Sequence, residues 1–231
     1  MKKIKNNKVK VCVTNTYAKL QSLIDGGCNA VVMQGGSYSG KTVAAFQKII
    51  NHVLANSASI DRDILCIFPN SCIAMDKLRY DFKKVMDMYG LWRSKDMSLS
   101  SLTYTMNGVK IIFMGMDNLQ CINRMIGPRT EICFIDNMDD IYNFSAAYQA
   151  RIRTKLFIAA FNPSCSEDHF IYDWISRCIV KAFISSFKDN ALIPDVCKSH
   201  LLSLQPTKEN IERGTASKYL WTVYGEGKSL W

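Results

Sequence analysis

The sequence predicts an α/β fold in which helices flank a mostly parallel central sheet, with a helical segment near the carboxyl end. Three observations lead to this prediction. Short apolar runs of strand length alternate with longer segments of helical periodicity, as in parallel strands joined by crossover helices. A glycine-rich segment, "GGSYSGKT" at 35–42, stands between one such strand and a long helix. Apolar side chains make up 48% of the 231 residues, which is enough for a sizeable core.

The predicted elements follow one another in the order expected for such a sheet. The predicted strands cover 8–13, 29–34, 62–68, 131–136, 155–161 and 179–187, and the predicted helices cover 16–25, 41–55, 71–89 and much of 193–224. Apolar runs such as "NAVVMQ" and "RDILCIF" indicate strands buried on both faces. Asn107 and Gly108 stand between two strand-like runs and predict a two-residue hairpin turn. We expect a core over 1–190 and a helical lid or linker over 191–231.

Charge and hydropathy exclude several classes of protein. No apolar run reaches the ~18 residues that a membrane-spanning helix needs. The amino terminus lacks the apolar stretch of a signal peptide, so we expect a cytoplasmic protein without a membrane partner. The net charge is +9, and five lysines in the basic tail (residues 1–10) supply more than half of it. Such a tail is either a solvated end or a contact for the phosphate backbone of nucleic acid.

The glycine-rich loop, residues 35–42, matches the spacing G-x-x-x-x-G-K-[ST]. Small residues let the backbone bend so that successive N–H groups point at phosphate oxygens, and the following helix turns its positive end to the same anion. A lysine at this spacing reaches the β- and γ-phosphates, and the hydroxyl after it joins the Mg²⁺ shell. We therefore predict ATP and Mg²⁺ as ligands, with the nucleotide bound by Gly35, Gly36, Ser37, Tyr38, Ser39, Gly40, Lys41 and Thr42.

A carboxylate for the metal is expected on a neighbouring strand. "ICFID" ends in Asp136, where four apolar residues give way to an acid at the edge of the sheet at which ligands bind in open α/β folds. We predict that Thr42 and Asp136 hold the metal. Asn137 follows, and an amide can position a water molecule but cannot take its proton. Either Asp139 or Asp140 supplies the base, or both are acids at the start of the next helix.

Six segments resemble the large terminase subunits of tailed bacteriophages, the ATPase motors that pump DNA into the procapsid. In order, they are "VVMQGGSYSGKT", "VKIIFMGMDNLQ", "ICFIDNMDDI", "LFIAAFNPSCSEDHFIYDWI", "SSFKDNALIP" and "YLWTVYGEG". The resemblance covers about residues 28–227. Its most specific part is the Asn-Pro after a strand, followed by the His-x-x-Tyr stretch and "KDN".

This resemblance implies ATP hydrolysis that drives translocation of double-stranded DNA, in the cytoplasm of the host. It implies catalytic roles for Lys41, Asp136, Asn137 and Asn162, the last of these at the strand end thought to couple hydrolysis to movement. From the residues alone, the Asn162 amide can sense a γ-phosphate, or Asn-Pro simply ends the strand. The implied partners are DNA, the portal protein of the procapsid, the small terminase subunit and further copies of the chain in a ring.

The chain departs from this family at four places. Ser37 or Tyr38 stands where the loop usually carries an arginine, and the strand after the first long helix ends in "IFPN" rather than in arginine. Asn137 replaces the family's second acid, and "GEG" at 225–227 lacks the usual tryptophan. Three of these changes remove a group that stabilises charge or activates water. For phosphoryl transfer, such an arginine can be worth ~10³–10⁵ in rate.

Other arginines are candidates to replace it, from this chain or a neighbour: Arg124, Arg151 and Arg153. The segment "AAYQARIR" also fits a plain helix with solvated arginines. We expect no nuclease domain, and therefore an ATPase domain or a separately encoded ATPase part. An alternative function is a catalytically weakened ATP-binding assembly module that docks DNA or portal, which Asn137 and the missing loop arginine favour. A generic helicase or nucleotide kinase has no support beyond the loop.

Overall fold

The computed structural model describes residues 11–117 and 130–230, and over these ranges the chain forms one eight-stranded sheet. The strands are β1 (Ala30–Gly35), β2 (Ile64–Phe68), β3 (Met97–Ser98), β4 (Thr103–Met106), β5 (Val109–Gly115), β6 (Thr130–Ile135), β7 (Thr154–Phe161) and β8 (Lys181–Ser185). They lie side by side in the order β3-β4-β5-β2-β6-β7-β1-β8. The pairs from β5 to β8 are parallel, whereas β3, β4 and β5 pair antiparallel. The predicted mostly parallel sheet is therefore confirmed.

The helices and helical turns fall between and after these strands. They are α1 (Asn15–Asp25), α2 (Lys41–Asn56), α3 (Ser71–Asp76), a π-helical turn (Lys77–Phe82), α4 (Lys83–Met88), α5 (Phe144–Ile152), α6 (Phe170–Ser176), α7 (Asp195–Ser203), α8 (Lys208–Glu212), α9 (Lys218–Leu220) and a second π-helical turn (Trp221–Glu226). Short 3₁₀ turns supplement them, including Met138–Asp140 after β6. No helix in these described ranges is long and apolar enough to cross a membrane.

Helices cover both faces of the sheet, which explains why β1, β2 and β6 are buried at every position. Alternate side chains of β1 enter different clusters, with Val31 and Met33 on one face and Ala30 and Val32 on the other. The first cluster includes buried side chains of α1, α2, α3 and α4, and the second includes those of α5 and α6. This packing places the carboxyl ends of β1, β6 and β7 at one edge of the sheet.

The hairpin predicted at Asn107 and Gly108 is confirmed, since both residues have positive φ, 50° and 84°, and Met106 pairs with Val109. The other predicted elements agree within a few residues, with three differences. Residues 11–13 of the predicted strand 8–13 have no regular structure, and the rest of that strand lies outside the described residues. The predicted strand 179–187 shortens to β8, an edge strand that is exposed at several positions. The predicted helix 71–89 contains a π-helical turn.

Candidate functional site

The glycine-rich loop joins the carboxyl end of β1 to the start of α2. Gly40 caps α2 in the left-handed conformation, with φ 85°, which a residue with a side chain adopts only at a cost. At Gly36, a Cβ atom would overlap the carbonyl oxygen of Tyr224. At Gly35, a Cβ atom would overlap the carbonyl oxygen of Ser185, so all three loop glycines have local structural reasons. The N–H groups of the first turn of α2 have no partner within the helix and face the same end as the loop.

Contacts from three other parts of the chain fix the loop. The Thr16 hydroxyl donates to the carbonyl of Ser39 at 2.5 Å, and the Asn190 side chain donates to the carbonyl of Tyr38 at 2.8 Å. The backbone N–H of Ser37 donates to the carbonyl of Tyr224 at 2.8 Å. Tyr224 belongs to residues 221–227, which we call the carboxyl-terminal strap. None of these contacts was predicted, because they join segments that are far apart in sequence.

Lys41 lies at the centre of the loop. Its ammonium donates to the carbonyls of Gly35 and Gly36, at 2.7 and 2.9 Å, and to Asn162 Oδ1 at 3.1 Å. Burial lowers the pKa of Lys41 to about 8, against the opposing attraction of Asp136 and Asp139. The side chain thus links the loop to the end of β7, where Asn162 directly follows the strand.

Thr42 and Asp136, the two predicted metal ligands, are in direct contact. The Thr42 hydroxyl donates to Asp136 Oδ2 at 2.9 Å, and Asp136 is buried at the end of β6. Both groups offer hard oxygens, which suit Mg²⁺. Residues 11–117 and 130–230 contain no cluster of three acidic, histidine or cysteine side chains that could hold a metal without help. The residues present fit a Mg²⁺ ion that takes its remaining ligands from nucleotide and water.

The three polar residues after Asp136 have different surroundings. Asn137 adopts the left-handed conformation, with φ 52°, and lines the cavity described below. Asp139 is buried and accepts from the backbone N–H of Asn162 at 3.2 Å and from the Ser164 hydroxyl at 3.0 Å. Burial raises the pKa of Asp139, and these two donors oppose the rise. Asp139 therefore ties the turn after β6 to the turn after β7, and Asp140 is exposed.

A cavity of about 490 Å³ opens over these groups. That volume is in the range of small-molecule and cofactor sites. Its lining combines most of the predicted site residues with others that the sequence did not single out. The lining residues are Thr14, Gly36, Ser37, Tyr38, Ser39, Gly40, Lys41, Thr42, Val43, Lys84, Met88, Asp136, Asn137, Ala160, Phe161, Asn162, Asn190, Leu192 and Pro194. Asn190 lies in the quoted "KDN" stretch, which was the one available signal for it.

Arg151 and Arg153, the candidate arginines among the described residues, are not brought to this cavity. Arg151 Nη2 donates to Asn29 Oδ1 at 3.3 Å, and Asn29 directly precedes β1. The six residues of β1 separate that end from the loop by about 20 Å. The carbonyl of Arg153 accepts from the N–H of Thr130 at the start of β6, at the same far edge. Arg151 and Arg153 therefore lie at the edge of the sheet opposite the cavity of their own chain, and a role for either one at the site of a neighbouring copy stays a prediction. Arg124 lies outside the described residues.

Solved structures show the same architecture. The chain is similar to the large terminase from a thermophilic bacteriophage in complex with ADP, with a TM-score of 0.64 and 16% identity over 86% of this chain and 52% of that one. It is also similar to the large terminase ATPase domain of Thermus phage P74-26, with a TM-score of 0.55 and 11% identity over 90% of this chain and 94% of that one. For the large terminase of bacteriophage HK97, the TM-score is 0.51 and the sequence identity is 9%, over 87% of this chain and 47% of that one.

The comparisons at the level of sequence found nothing: no family model and no curated protein matches the chain. The chain spans about half the length of the large terminase from the thermophilic bacteriophage. The resemblance noted in the sequence motifs is nevertheless borne out at the level of architecture, by three phage proteins that each match most of the chain. The chain has the fold of the ATPase domain of bacteriophage large terminases.

Proposed function

We propose that this chain is the ATPase domain of a viral DNA-packaging motor, in which ATP hydrolysis drives double-stranded DNA into a procapsid. The observation that carries the proposal is the convergence of Lys41, Thr42, Asp136 and Asn162 on one cavity above the glycine-rich loop. This convergence requires the carboxyl ends of β1, β6 and β7 to lie beside the start of α2. Structures of the large terminase from the thermophilic bacteriophage, in complex with ADP and with ATP-gamma-S, support a nucleotide as the ligand.

The residues have distinct roles in this proposal. The N–H groups of the loop and of the first turn of α2 bind the phosphates, and Lys41 exchanges its present oxygen partners for phosphate oxygens. Thr42 and Asp136 hold Mg²⁺, which when bound neutralises charge on the β- and γ-phosphates. Asn137 orients the attacking water. Asn162 contacts both Lys41 and Asp139, so its turn is placed to register a change at the terminal phosphate.

The partners in the proposal are double-stranded DNA, a portal protein on the procapsid, a small terminase subunit and further copies of this chain in a ring. The setting is the cytoplasm of the host. The basic tail contributes non-specific contacts to DNA phosphates. Residues 191–231 serve as a lid or linker. Supporting this, Leu192 and Pro194 line the cavity beside the loop.

A second function is favoured by one observation. Of the described residues that line the cavity, Asp136 alone is a carboxylate, and it is assigned to the metal. Asp139 is occupied by Asn162 and Ser164, and Asn137 cannot accept a proton. A site without a base suits an ATP-binding assembly module that docks DNA or portal and leaves turnover to a partner.

The two functions are separated by measuring nucleotide binding and ATP turnover of the intact chain, with and without double-stranded DNA. We expect binding in both cases and turnover only for the motor. Lys41→Ala should abolish binding or turnover and leave the fold intact. Lys48→Ala is the matched control, because Lys48 lies two turns further along α2 and donates to Gln21 instead. If Lys41→Ala behaves like the parent, the nucleotide site is elsewhere and both functions are rejected.

A further inference from the structure

Lys77 contacts the carboxylate proposed for the metal, although it belongs to neither the glycine-rich loop nor the end of β6. It begins the first π-helical turn, directly after α3. Its ammonium lies 3.4 Å from Asp136 Oδ2 and 2.8 Å from Asp81 Oδ2. The Lys77 side chain is 22% exposed and that of Asp136 only 3%. The ammonium therefore bridges a buried carboxylate at the site and a more exposed one on its own turn.

The atom that Lys77 contacts is the same oxygen that accepts from Thr42, at the place where the metal is proposed to bind. Two cations at one carboxylate oxygen repel each other strongly where water is largely excluded. Lys77 and a metal ion therefore exclude each other at Asp136.

Asp81 gives Lys77 a partner to keep when it leaves Asp136. The two residues are four apart on the π-helical turn, and their contact is the shorter of the two that the ammonium makes. Release of Asp136 thus leaves the ammonium paired. A metal ion that arrives without nucleotide brings no phosphate oxygens and finds no cluster of three protein ligands among the described residues. Without these ligands, a free metal ion binds too weakly to displace Lys77 from Asp136.

We propose that Lys77 competes with the metal for Asp136, so that it closes the site to free divalent cations and yields to a metal that arrives with nucleotide. This inference rests on the metal site in the proposed function. Competition at Asp136 predicts opposite effects for two substitutions. Removal of Lys77 opens Asp136 to free metal, whereas removal of the Asp81 carboxylate leaves Lys77 with Asp136 alone and closes the site further.

The test is the binding of Mn²⁺ to the intact chain without nucleotide, followed by the loss of the free-ion signal in electron paramagnetic resonance. We expect Lys77→Met to tighten Mn²⁺ binding about tenfold or more, and Lys77→Arg to keep the parental affinity. Asp81→Asn should weaken it. Lys83→Met is the matched control, because Lys83 follows on the same helical stretch and pairs with Asp87 at 2.6 Å, away from the site. It should bind Mn²⁺ like the parent.

Two results would overturn the inference: unchanged or weaker Mn²⁺ binding by folded Lys77→Met, or unchanged or tighter binding by Asp81→Asn. If Lys77→Met does not fold, Asp81→Asn decides alone. In parallel, the parent is titrated with Mn²⁺ and ATP together, and the nucleotide that the protein retains is measured by equilibrium dialysis, because free ATP itself binds Mn²⁺. If no nucleotide is retained even with Mn²⁺ present, the nucleotide site itself is rejected. Normal binding with ATP, together with an unchanged Lys77→Met, rejects only the competition.

Discussion

Lys41 contacts four oxygens of its own chain: the carbonyls of Gly35 and Gly36, the hydroxyl of Ser39 and the amide of Asn162. A bound nucleotide has to replace part of this set. Because the Asn162 amide is one of these partners, the exchange changes a hydrogen bond at the end of β7. Because burial lowers the pKa of Lys41 to about 8, the protonation of the ammonium is itself coupled to binding.

The first prediction follows from this pKa. Without nucleotide, Lys41 is about half protonated near pH 8. Phosphate charge raises the pKa in the complex, so binding takes up a proton. We expect uptake of about half a proton per ATP at pH 8 and almost none at pH 6, where Lys41 is already charged. Above pH 8, affinity should fall by up to about tenfold per pH unit.

Calorimetry in two buffers of different ionisation enthalpy measures this uptake. The control is Lys48→Ala, which should show the same proton uptake as the parent. Proton release, or uptake that does not change between pH 6 and pH 8, would show that Lys41 is not the group that titrates on binding.

A second prediction concerns the missing base at Asn137. A positioned base contributes ~10²–10⁴-fold to hydrolysis. We expect weak turnover by the parent and a gain of at least several-fold in Asn137→Glu, measured as phosphate release. The left-handed backbone at this position, φ 52°, costs glutamate more than asparagine, so some loss of thermal stability should accompany the gain.

Asn137→Gln is the matched control, since it has the length of glutamate without a proton acceptor and should gain nothing. If instead Asp139→Ala abolishes turnover and Asn137→Glu gains little, Asp139 is the base. If no variant hydrolyses ATP even with DNA, the motor function is rejected in favour of the ATP-binding assembly module.

The loop and the strand ends could be predicted from the sequence because local spacing specifies them. The glycine-rich loop is contiguous, and Asp136 and Asn162 each follow an apolar run at the point where the run ends. The role of Asp139 could not be predicted in the same way. Its contacts with Asn162 and Ser164 depend on how two turns lie relative to each other, and the identity of an acid says nothing about that.

At the scale of elements, the carboxyl-terminal strap forms one wall of the glycine-rich loop. Tyr224 accepts from the N–H of Ser37, and the carbonyl of Gly227 accepts from the Gln34 side chain at 3.0 Å. Trp221 packs with Phe187 and Leu201 in a small cluster that anchors the strap. The loop is thus built from both ends of the described chain.

A third prediction tests this contact. In Gly36→Ala, the new methyl group overlaps the carbonyl of Tyr224, and backbone atoms cannot move aside cheaply. We expect a loss of about 1–3 kcal/mol in the free energy of unfolding, with weaker ATP binding. Denaturant unfolding and nucleotide titration measure the two effects.

Gly26→Ala serves as the control, because a Cβ there meets only ordinary contacts at 3.4 Å and the backbone is not in the left-handed region. Its free energy of unfolding should stay within about 0.5 kcal/mol of the parent. Equal effects of the two substitutions would mean that the strap does not support the loop.

Buried strands were the elements that the sequence predicted best. Runs such as that of β2 are apolar throughout because helices cover both faces, and this leaves a clear signal. The π-helical turn Lys77–Phe82 leaves no such signal, since apolar periodicity over six residues does not separate it from an α-helix. The position of the strap could not be predicted either, because its contact between Gln34 and Gly227 joins residues that are 193 apart in sequence.

At the scale of the whole molecule, charge sets the expected behaviour toward DNA. Five of the nine net positive charges lie in the basic tail, which falls outside the described residues. We expect binding to double-stranded DNA to be independent of sequence and to weaken steeply with salt. Deletion of residues 2–10 should flatten the plot of log affinity against log salt by up to about 4.5 in slope, at ~0.9 for each phosphate that one of the five lysines neutralises.

Replacing the five tail lysines with glutamine should flatten the slope equally, and replacing them with arginine should leave it unchanged. Fluorescence anisotropy with two unrelated duplexes measures both slope and sequence preference. Binding that is indifferent to salt, or that prefers one duplex strongly, would contradict a backbone contact.

The bond between Ser37 and Tyr224 has a mechanical consequence. Because the strap closes against the loop, its attachment and the grip of the loop on phosphate are linked, and such linkage acts equally in both directions. If bound ATP strengthens the attachment of the strap by some factor, then detachment of the strap under tension must weaken the affinity for ATP by the same factor. A mechanical load on the chain near Gly227 would thus lower the affinity for nucleotide, which would make ATP binding sensitive to force.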